Sequence, residues 1–240
     1  MTDISWLTAR PIAHRGYHDL NKTRWENTLS AFDAAARRNF AIECDVMLSA
    51  DGVPVVFHDH DLQRLAGQGG LVWQKTAAEM GALSIGGTAD HAPTLKEMLN
   101  LVAGRVPLVI ELKGIPGHDD GLVEAVAKEL RAYDGKAAIM SFDHWLIRQF
   151  PIHAAGIPAG LTAWGDKPHE IEAHFSMLAN GLVFTSYHYG HLPNRFVAFL
   201  RGTLGLPVIT WTVRDEDAIK ATFAHADQMT FEGFDPDAVA

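Results

Sequence analysis

The chain has 240 residues, of which 48% are hydrophobic and 20% charged, and its formal net charge at pH 7 is −9. The length suits one large core, and the negative charge argues against non-specific binding to nucleic acid or to anionic membranes. A single cysteine excludes an internal disulfide and suits a reducing compartment, no apolar run approaches the roughly 18 residues of a membrane span, and no secretory signal pattern is visible. We therefore expect a cytoplasmic protein without stable membrane association.

Short apolar runs rich in β-branched residues alternate with longer amphipathic segments. The pattern predicts strands, in chain order, at 10–14, 40–48, 106–113, 135–142, 157–164, 180–186, 206–213 and 226–233. The predicted helices between them include 27–39, 94–104, 119–133 and 215–226. Alternating units of this number and length predict an α/β fold, a (β/α)₈ TIM barrel, with a doubly wound open sheet as the alternative.

One region interrupts the alternation. After the second predicted strand, the Asp51-Gly52 pair is typical of a hairpin turn, and residues 53–61 follow as a returning strand. The segment after it is rich in glycine and weakly patterned. We predict a single domain, residues 1–240, in which residues 46–93 form a small insertion with a β-hairpin.

Acidic side chains stand near the ends of two predicted strands. Glu43 and Asp45 share a face because strand side chains alternate, and Glu111 occupies a similar place in the next predicted barrel strand. Three carboxylates can thus converge, and oxygen ligands suit one Mg²⁺ or Ca²⁺ better than zinc. If that strand is considered alone, a simple ion pair between Glu111 and Lys113 explains the two residues equally well.

Two histidines flank this cluster in the predicted barrel. His14 ends the first strand and His58 ends the returning hairpin arm, so the pair suits general base and general acid work near neutral pH. Arg15 offers a planar fork to a phosphate, Lys113 a further donor, and Gly16 a sharp backbone turn. Barrel enzymes carry their chemistry at the carboxyl ends of strands, where all of these residues are predicted to lie.

Six short motifs follow one another along the chain. They are AHRG (13–16), ENTLSAF (26–32), IECDVMLSADGVPVVFHDHDLQRL (42–65), PTLKEML (93–99), VIELK (109–113) and WTV (211–213). In this order they resemble the signature of the glycerophosphodiester phosphodiesterase family. The resemblance implies a TIM barrel of the phosphatidylinositol-specific phospholipase C-like superfamily. It also implies hydrolysis of a small glycerophosphodiester to sn-glycerol 3-phosphate and an alcohol with a divalent cation. In the family the substrate's own 2-hydroxyl attacks and gives a cyclic phosphate, and the sequence leaves direct attack by water open as the alternative.

Site roles follow from the resemblance position by position. It implies metal ligands at Glu43, Asp45 and Glu111, proton transfer at His14 and His58, and phosphate binding at Arg15 and Lys113. Glu26 and Asn27 would support the site from the start of the first helix, although a plain helix cap explains them equally well. Phe142 and Trp211 would form apolar walls for the glycerol, with core packing as the alternative.

The loop between HRG and ENT departs from the family pattern. Residues 17–25 make it longer than usual, and Trp25 stands where proline is common. The loop adds His18, Lys22 and Arg24, which we expect near the mouth of the site, so the leaving-group preference would differ from that of other members.

Three further residues carry weaker expectations. Glu232 stands where the family often has aspartate, and we expect it to support the site from behind. His188 and His191 are expected in a surface loop.

Two other functions stay open on the sequence, a phospholipase D or lyase that releases a cyclic phosphate and a non-catalytic phosphate-binding barrel. Paired histidines beside a metal cluster favour catalysis over binding alone.

Overall fold

Eight parallel strands close into a ring in the computed structural model, which describes residues 3–239. Within those residues the strands are β1 (Ile12–Ala13), β2 (Ala41–Leu48), β3 (Pro54–Val56), β4 (Leu108–Leu112), β5 (Ala137–Ser141), β6 (Ala159–Ala163), β7 (Phe184–His188), β8 (Val208–Val213) and β9 (Gln228–Phe231). The sheet order is β1-β9-β8-β7-β6-β5-β4-β2-β3, and β1 also pairs with β2. The prediction of a (β/α)₈ barrel is confirmed, and the open sheet is wrong because β1 bonds to neighbours on both sides.

Helices surround the strands and begin at the signals that the sequence carries. They are α1 (Leu29–Arg37), α2 (Gln63–Ala66), α3 (Ala77–Gly81), α4 (Leu95–Val102), α5 (Leu122–Arg131), α6 (His144–Ile147), α7 (Phe150–His153), α8 (Pro168–Met177), α9 (Arg195–Phe199) and α10 (Glu216–His225). The predicted capping box at α4 is present, with the Thr94 hydroxyl accepting from the Glu97 backbone. No helix within residues 3–239 is long and apolar enough to cross a membrane.

Side chains alternate between the two faces of the barrel wall. The outward faces pack against the helices in one large core, and a smaller inner core that includes Ile12, Val109, Phe184 and Ile209 fills the lower part of the ring. Because the residues two positions further along these strands also point inward, the polar side chains near the strand ends meet above this inner core.

The segment after β2 forms an antiparallel excursion with its own small core. β3 pairs antiparallel with β2, and buried Phe57, Leu62 and Ile85 pack together in that core. Trp25 from the 17–25 loop packs against it, and its indole ring fills the space beside Gly86, where an added Cβ would lie 1.9 Å away. The loop and the excursion therefore form one packed unit at the carboxyl-terminal face. β2 extends to Leu48, so the first residues of the predicted 46–93 segment belong to the barrel strand.

Candidate active site

Three buried carboxylates meet inside the ring at the carboxyl ends of β2 and β4. Glu43, Asp45 and Glu111 are 1–5% exposed, and each offers an oxygen within 4.8 Å of the others. The register places Asp45 beside Glu111 on the neighbouring strand. Burial and the adjacent carboxylates raise the pKa of Glu43 well above its usual range, and burial raises the pKa of Glu111. An all-oxygen set with this concentration of negative charge fits a hard divalent cation.

Two cations lie against these carboxylates. Arg15 Nε is 3.2 Å from Asp45 Oδ2, and Lys113 Nζ is 3.2 Å from Asp45 Oδ1 and also contacts Glu111. Burial alone would raise the pKa of Asp45, but the charges of Lys113 and Arg15 outweigh it and hold that pKa far below its usual range. Both cations thus reach the same point in the ring as the acids, where an anionic ligand would also meet them.

The turn after β1 fixes the position of Arg15. Arg15 has φ of 54° and Gly16 φ of 82°, both in the left-handed region. A side chain at Gly16 would place its Cβ 2.9 Å from the backbone of Ala31, so only glycine fits there. The Arg15 backbone N–H donates to Glu43 Oε2 at 2.9 Å. The turn therefore aims this residue at the carboxylates through both its backbone and its side chain.

Glu26 and Asn27 contact the site rather than cap the first helix. Asn27 donates to Asp45 Oδ2 at 2.9 Å and accepts from the Asp45 backbone N–H at 3.3 Å. Glu26 accepts from Arg15 Nη1 at 2.6 Å. Thr28 is the residue that caps α1. The helix-cap interpretation of Glu26 and Asn27 is thus wrong, and both side chains hold other residues of the cavity.

Each histidine has a carboxylate behind its ring. His14 Nδ1 lies 2.5 Å from Glu232 Oε2, which turns Nε2 inward to 4.0 Å from Glu43. His58 Nδ1 lies 2.7 Å from Asp59 Oδ1. The His14 side chain is 13% exposed and that of His58 is 30% exposed. Burial lowers the pKa of His14 to about 4 despite the opposing effect of Glu232, so the ring is neutral at pH 7.

Glu232 binds more than one partner. Its Oε1 accepts from Arg214 Nε at 2.7 Å, and His18 Nε2 lies 3.6 Å from Oε2. Burial would raise the pKa of Glu232, but the hydrogen bond from His14 and the contact with His18 outweigh it, so this carboxylate stays ionised. Glu232 was expected behind the site, and it lies directly against the His14 ring.

The 17–25 loop places its basic residues differently from one another. His18 is buried beside Glu232, and all three basic residues line a separate surface cavity of about 310 Å³ with Tyr17. The Arg24 guanidinium lies over the Tyr17 ring, 5.5 Å from its centre. We expected Lys22 and Arg24 near the mouth of the site, and neither residue lines the cavity of the carboxylates.

The cavity that these groups share has a volume of about 220 Å³, and the rest of its lining consists mainly of aromatic rings and hydroxyls, with Arg214 beside them. Phe142 and Trp211 form the wall, with ring centres 5.2 Å apart and perpendicular planes. His188 ends β7 and lies 4.9 Å from the Trp211 ring, so the expected surface-loop position is wrong for this residue. The floor carries hydroxyls that are buried and have no hydrogen-bond partner within residues 3–239, those of Thr162, Ser186 and Thr230.

Residues 14–239 match the model of the Glycerophosphoryl diester phosphodiesterase family. The chain belongs to this family. A glycerophosphodiester phosphodiesterase of Caldanaerobacter subterraneus subsp. tengcongensis is 35% identical over 162 residues, which are 62% of this chain and 65% of that protein. The Bacillus subtilis (strain 168) protein YhdW is 29% identical over 221 residues, which are 85% of this chain and 86% of that one.

A solved structure has the same fold. It is that of an Oleispira antarctica phosphodiesterase in complex with the product sn-glycerol-3-phosphate, with a TM-score of 0.81 at 24% identity, covering 93% of this chain and 92% of that one. At this identity the likeness shows the shared barrel. The resemblance drawn from the motifs is confirmed, and the chain is an enzyme, a glycerophosphodiester phosphodiesterase.

Some residues of the site were missed by the sequence reasoning. Asp59 directly follows His58, so an acid beside a candidate catalytic histidine was a visible signal for it. Arg64 lies within the 42–65 motif, but it follows the predicted returning strand at 53–61, so no strand pattern indicated where its side chain lies. Arg214 gave no local signal, because its partner Glu232 is 18 residues away, just after the next strand.

Proposed function

We propose that the protein hydrolyses glycerophosphodiesters to sn-glycerol 3-phosphate and an alcohol, with one divalent cation and with two histidines for proton transfer. One observation carries the proposal. Two carboxylate-backed histidines, His14 and His58, border the same small cavity as three buried carboxylates and two partly buried cations. The Oleispira antarctica phosphodiesterase that holds sn-glycerol-3-phosphate as its product supports the choice of product.

Glu43, Asp45 and Glu111 would hold the cation, which we propose to be Mg²⁺ or Ca²⁺. When bound, such an ion neutralises charge on phosphoryl oxygens and offsets the repulsion among the three carboxylates. Arg15 and Lys113 would bind the phosphate, because both already lie within 3.2 Å of Asp45 at the centre of the cavity. The planar guanidinium of Arg15 gives two parallel donors, and the ammonium of Lys113 acts as a compact point charge.

The two histidines are proposed to divide the proton transfers by depth. His14 is the deeper ring, so it would take the proton of the attacking hydroxyl at Nε2, and ionised Glu232 would stabilise the imidazolium that forms. His58 is more exposed, so it would give a proton to the alkoxide that leaves toward solvent, with Asp59 holding its ring. Either water or the substrate's own glycerol 2-hydroxyl can supply the attacking oxygen.

The aromatic rings and hydroxyls of the cavity would bind the glycerol. Phe142 and Trp211 present apolar faces to the carbon chain. Thr162 and Ser186 are buried hydroxyls that would hydrogen-bond its hydroxyl groups, since a buried polar group without a partner is unfavourable.

The test is turnover of glycerophosphocholine and glycerophosphoethanolamine, measured by a coupled assay for sn-glycerol 3-phosphate with Mg²⁺, Ca²⁺, Mn²⁺ or a chelator. We expect turnover that chelation abolishes and that added metal restores. Full activity after exhaustive metal removal would contradict the metal assignment. Phosphorus NMR of the product mixture separates hydrolysis from lyase chemistry, because a lyase would leave a cyclic phosphate as the final product.

A further inference from the structure

Arg64 lies in α2, outside the barrel, yet its guanidinium joins two acids of the site. Its Nε donates to Asp59 Oδ2 at 2.6 Å and its Nη2 to Asp59 Oδ1 at 2.9 Å. Nη1 donates to Glu26 Oε2 and Nη2 to Glu26 Oε1, both at 2.8 Å. One planar group therefore binds two carboxylates, each through a pair of hydrogen bonds.

Each of those carboxylates also holds a proposed active-site group. Asp59 Oδ1 is the atom behind the His58 ring, at 2.7 Å from Nδ1. Glu26 Oε1 is the atom that accepts from Arg15 Nη1, at 2.6 Å. An unbroken series of contacts thus runs from the histidine on the hairpin excursion, through Arg64, to the arginine at the end of β1.

We propose that Arg64 is a positioning residue that sets the His58 ring and the Arg15 guanidinium at the same time. The proposal rests on the function proposed above. It gives the hairpin excursion a defined task, because the excursion carries His58 and the barrel carries Arg15, and Arg64 fixes the separation between them.

The contacts explain why arginine stands here. Glu26 is 5% exposed, so its charge needs close cationic partners, and it has one on each side. Without Arg64, the Glu26 carboxylate loses two of its hydrogen bonds and can turn about its remaining contacts with Arg15 and Asn21, and Asp59 is free to rotate away from the imidazole. A lysine has a single nitrogen and cannot donate along two edges to two carboxylates. Small displacements of reacting groups lower turnover steeply.

Glu26 has a second anchor that does not depend on Arg64. Asn21 Nδ2 donates to Glu26 Oε2 at 2.6 Å, and the Glu26 backbone N–H donates to Asn21 Oδ1 at 2.8 Å. The excursion is also held by its own apolar core, which includes Leu65 of α2. We therefore expect Arg64→Ala to fold and to retain the conformation of the 17–25 loop. The change should be confined to the orientation of the His58 ring and the Arg15 guanidinium.

The experiment compares Arg64→Ala and Arg64→Lys with the wild type, using Arg37→Ala as the matched control. Arg37 is a surface arginine with a 77% exposed side chain that forms an ion pair with Asp33. A misplacement of reacting groups by about 1 Å can lower activity about 100-fold, so we expect kcat to fall about 10- to 100-fold and KM to rise in both Arg64 variants. Arg37→Ala should match the wild type.

Rescue and double variants separate positioning from plain destabilisation. Free guanidinium at non-denaturing concentration should restore part of the Arg64→Ala turnover and leave Arg37→Ala unchanged. Asp59→Asn should lower mainly kcat and Glu26→Gln raise mainly KM, and each should combine with Arg64→Ala less than multiplicatively. Normal kinetics in Arg64→Ala, or an activity loss that guanidinium does not relieve and that follows a lowered melting temperature, would overturn the proposal.

A readout independent of turnover keeps the two proposals apart. In protein with ¹⁵N-labelled histidine, the ring signals of His58 should shift in Arg64→Ala and stay in place in Arg37→Ala. Unchanged His58 signals would contradict the role of Arg64. An inactive wild type with shifted signals would instead contradict the proposed function and leave the positioning role supported.

Discussion

Replacing Glu232 with glutamine keeps the size of the side chain but removes the charge behind His14. The carboxylate accepts from His14 Nδ1 at 2.5 Å, in a pocket where its side chain is 10% exposed. A hydrogen bond between a charged and a neutral group contributes about 1.5–3 kcal/mol, which converts to about 10- to 150-fold in rate if it is lost only in the transition state. An amide can also turn its NH₂ toward Nδ1, which forces the ring proton onto Nε2, and that tautomer cannot act as the base. In a serine protease triad, the wrong histidine tautomer caused by such an amide lowers kcat roughly 10⁴-fold. We therefore expect kcat of Glu232→Gln to fall about 10²- to 10⁴-fold.

The assay for Glu232→Gln is release of sn-glycerol 3-phosphate at saturating substrate, with the melting temperature measured in parallel. Glu232→Asp keeps the charge on a shorter side chain, so it should lose less activity than the amide. Arg37→Ala is the companion control, because that side chain is 77% exposed and its ion pair with Asp33 contributes little. A folded Glu232→Gln variant with near wild-type kcat would refute the assignment of His14 as a base held by this carboxylate.

Three other predictions concern the histidines and the packing. His14→Ala and His58→Ala should each lower kcat by roughly 10²-fold or more, the scale of a positioned acid or base, and a variant that retained normal turnover would mark that histidine as structural. Gly86→Ala should lower the free energy of unfolding by about 3 kcal/mol in urea, because its φ is +60° and its Cβ would meet the indole ring. Gly67 has φ of +66° but open space where a Cβ would lie. Gly67→Ala should therefore lower the free energy of unfolding less, and its loss measures the cost of the backbone conformation without a steric clash. Burial lowers the pKa of His174 from 6.5 to about 4, so the unfolded chain binds more protons below pH 6.5, and this residue should lower stability by about 2 kcal/mol between pH 7 and pH 5. Burial also lowers the pKa of His14 to about 4, so that residue adds to the fall. His174→Gln should therefore make the measured fall about 2 kcal/mol smaller, and a pH dependence equal to that of the wild type in urea unfolding would contradict the assignment.

The barrel and the charged half of its cavity could be predicted because both follow from local pattern. A strand alternates its faces, so Glu43 and Asp45 had to point the same way, and parallel strands place their carboxyl ends together. Closure was different, since it depends on β1 pairing with β9, and no local pattern states which strands meet. A short motif predicts which part of the fold a residue lies in, but it does not predict the residue's hydrogen-bond partner. Asn27 at the start of a helix was therefore interpreted as a helix cap, whereas its side chain hydrogen-bonds to Asp45.

The groups that hold the histidines were harder to predict, because their contacts join distant parts of the chain. Glu232 reaches His14 across 218 residues, and Arg64 reaches Glu26 across 38. A charged side chain on a loop has many possible partners, and the sequence gives no distance that selects one. His188 was misplaced for a related reason: the strand that carries it continues two residues past its apolar run.

The barrel closes where β1 pairs with β9. This pairing is short, and the residues of the proposed chemistry lie next to it. β1 pairs through only two residues with each neighbour, Ile12 and Ala13, and His14 follows directly with its backbone N–H bonded to Phe231. The first and last strands must therefore meet before His14 and Glu232 can face each other. This contact has nearly the largest sequence separation in the chain, and such contacts are slow to form. Recovered turnover would thus report the final step of refolding, after most of the secondary structure is in place.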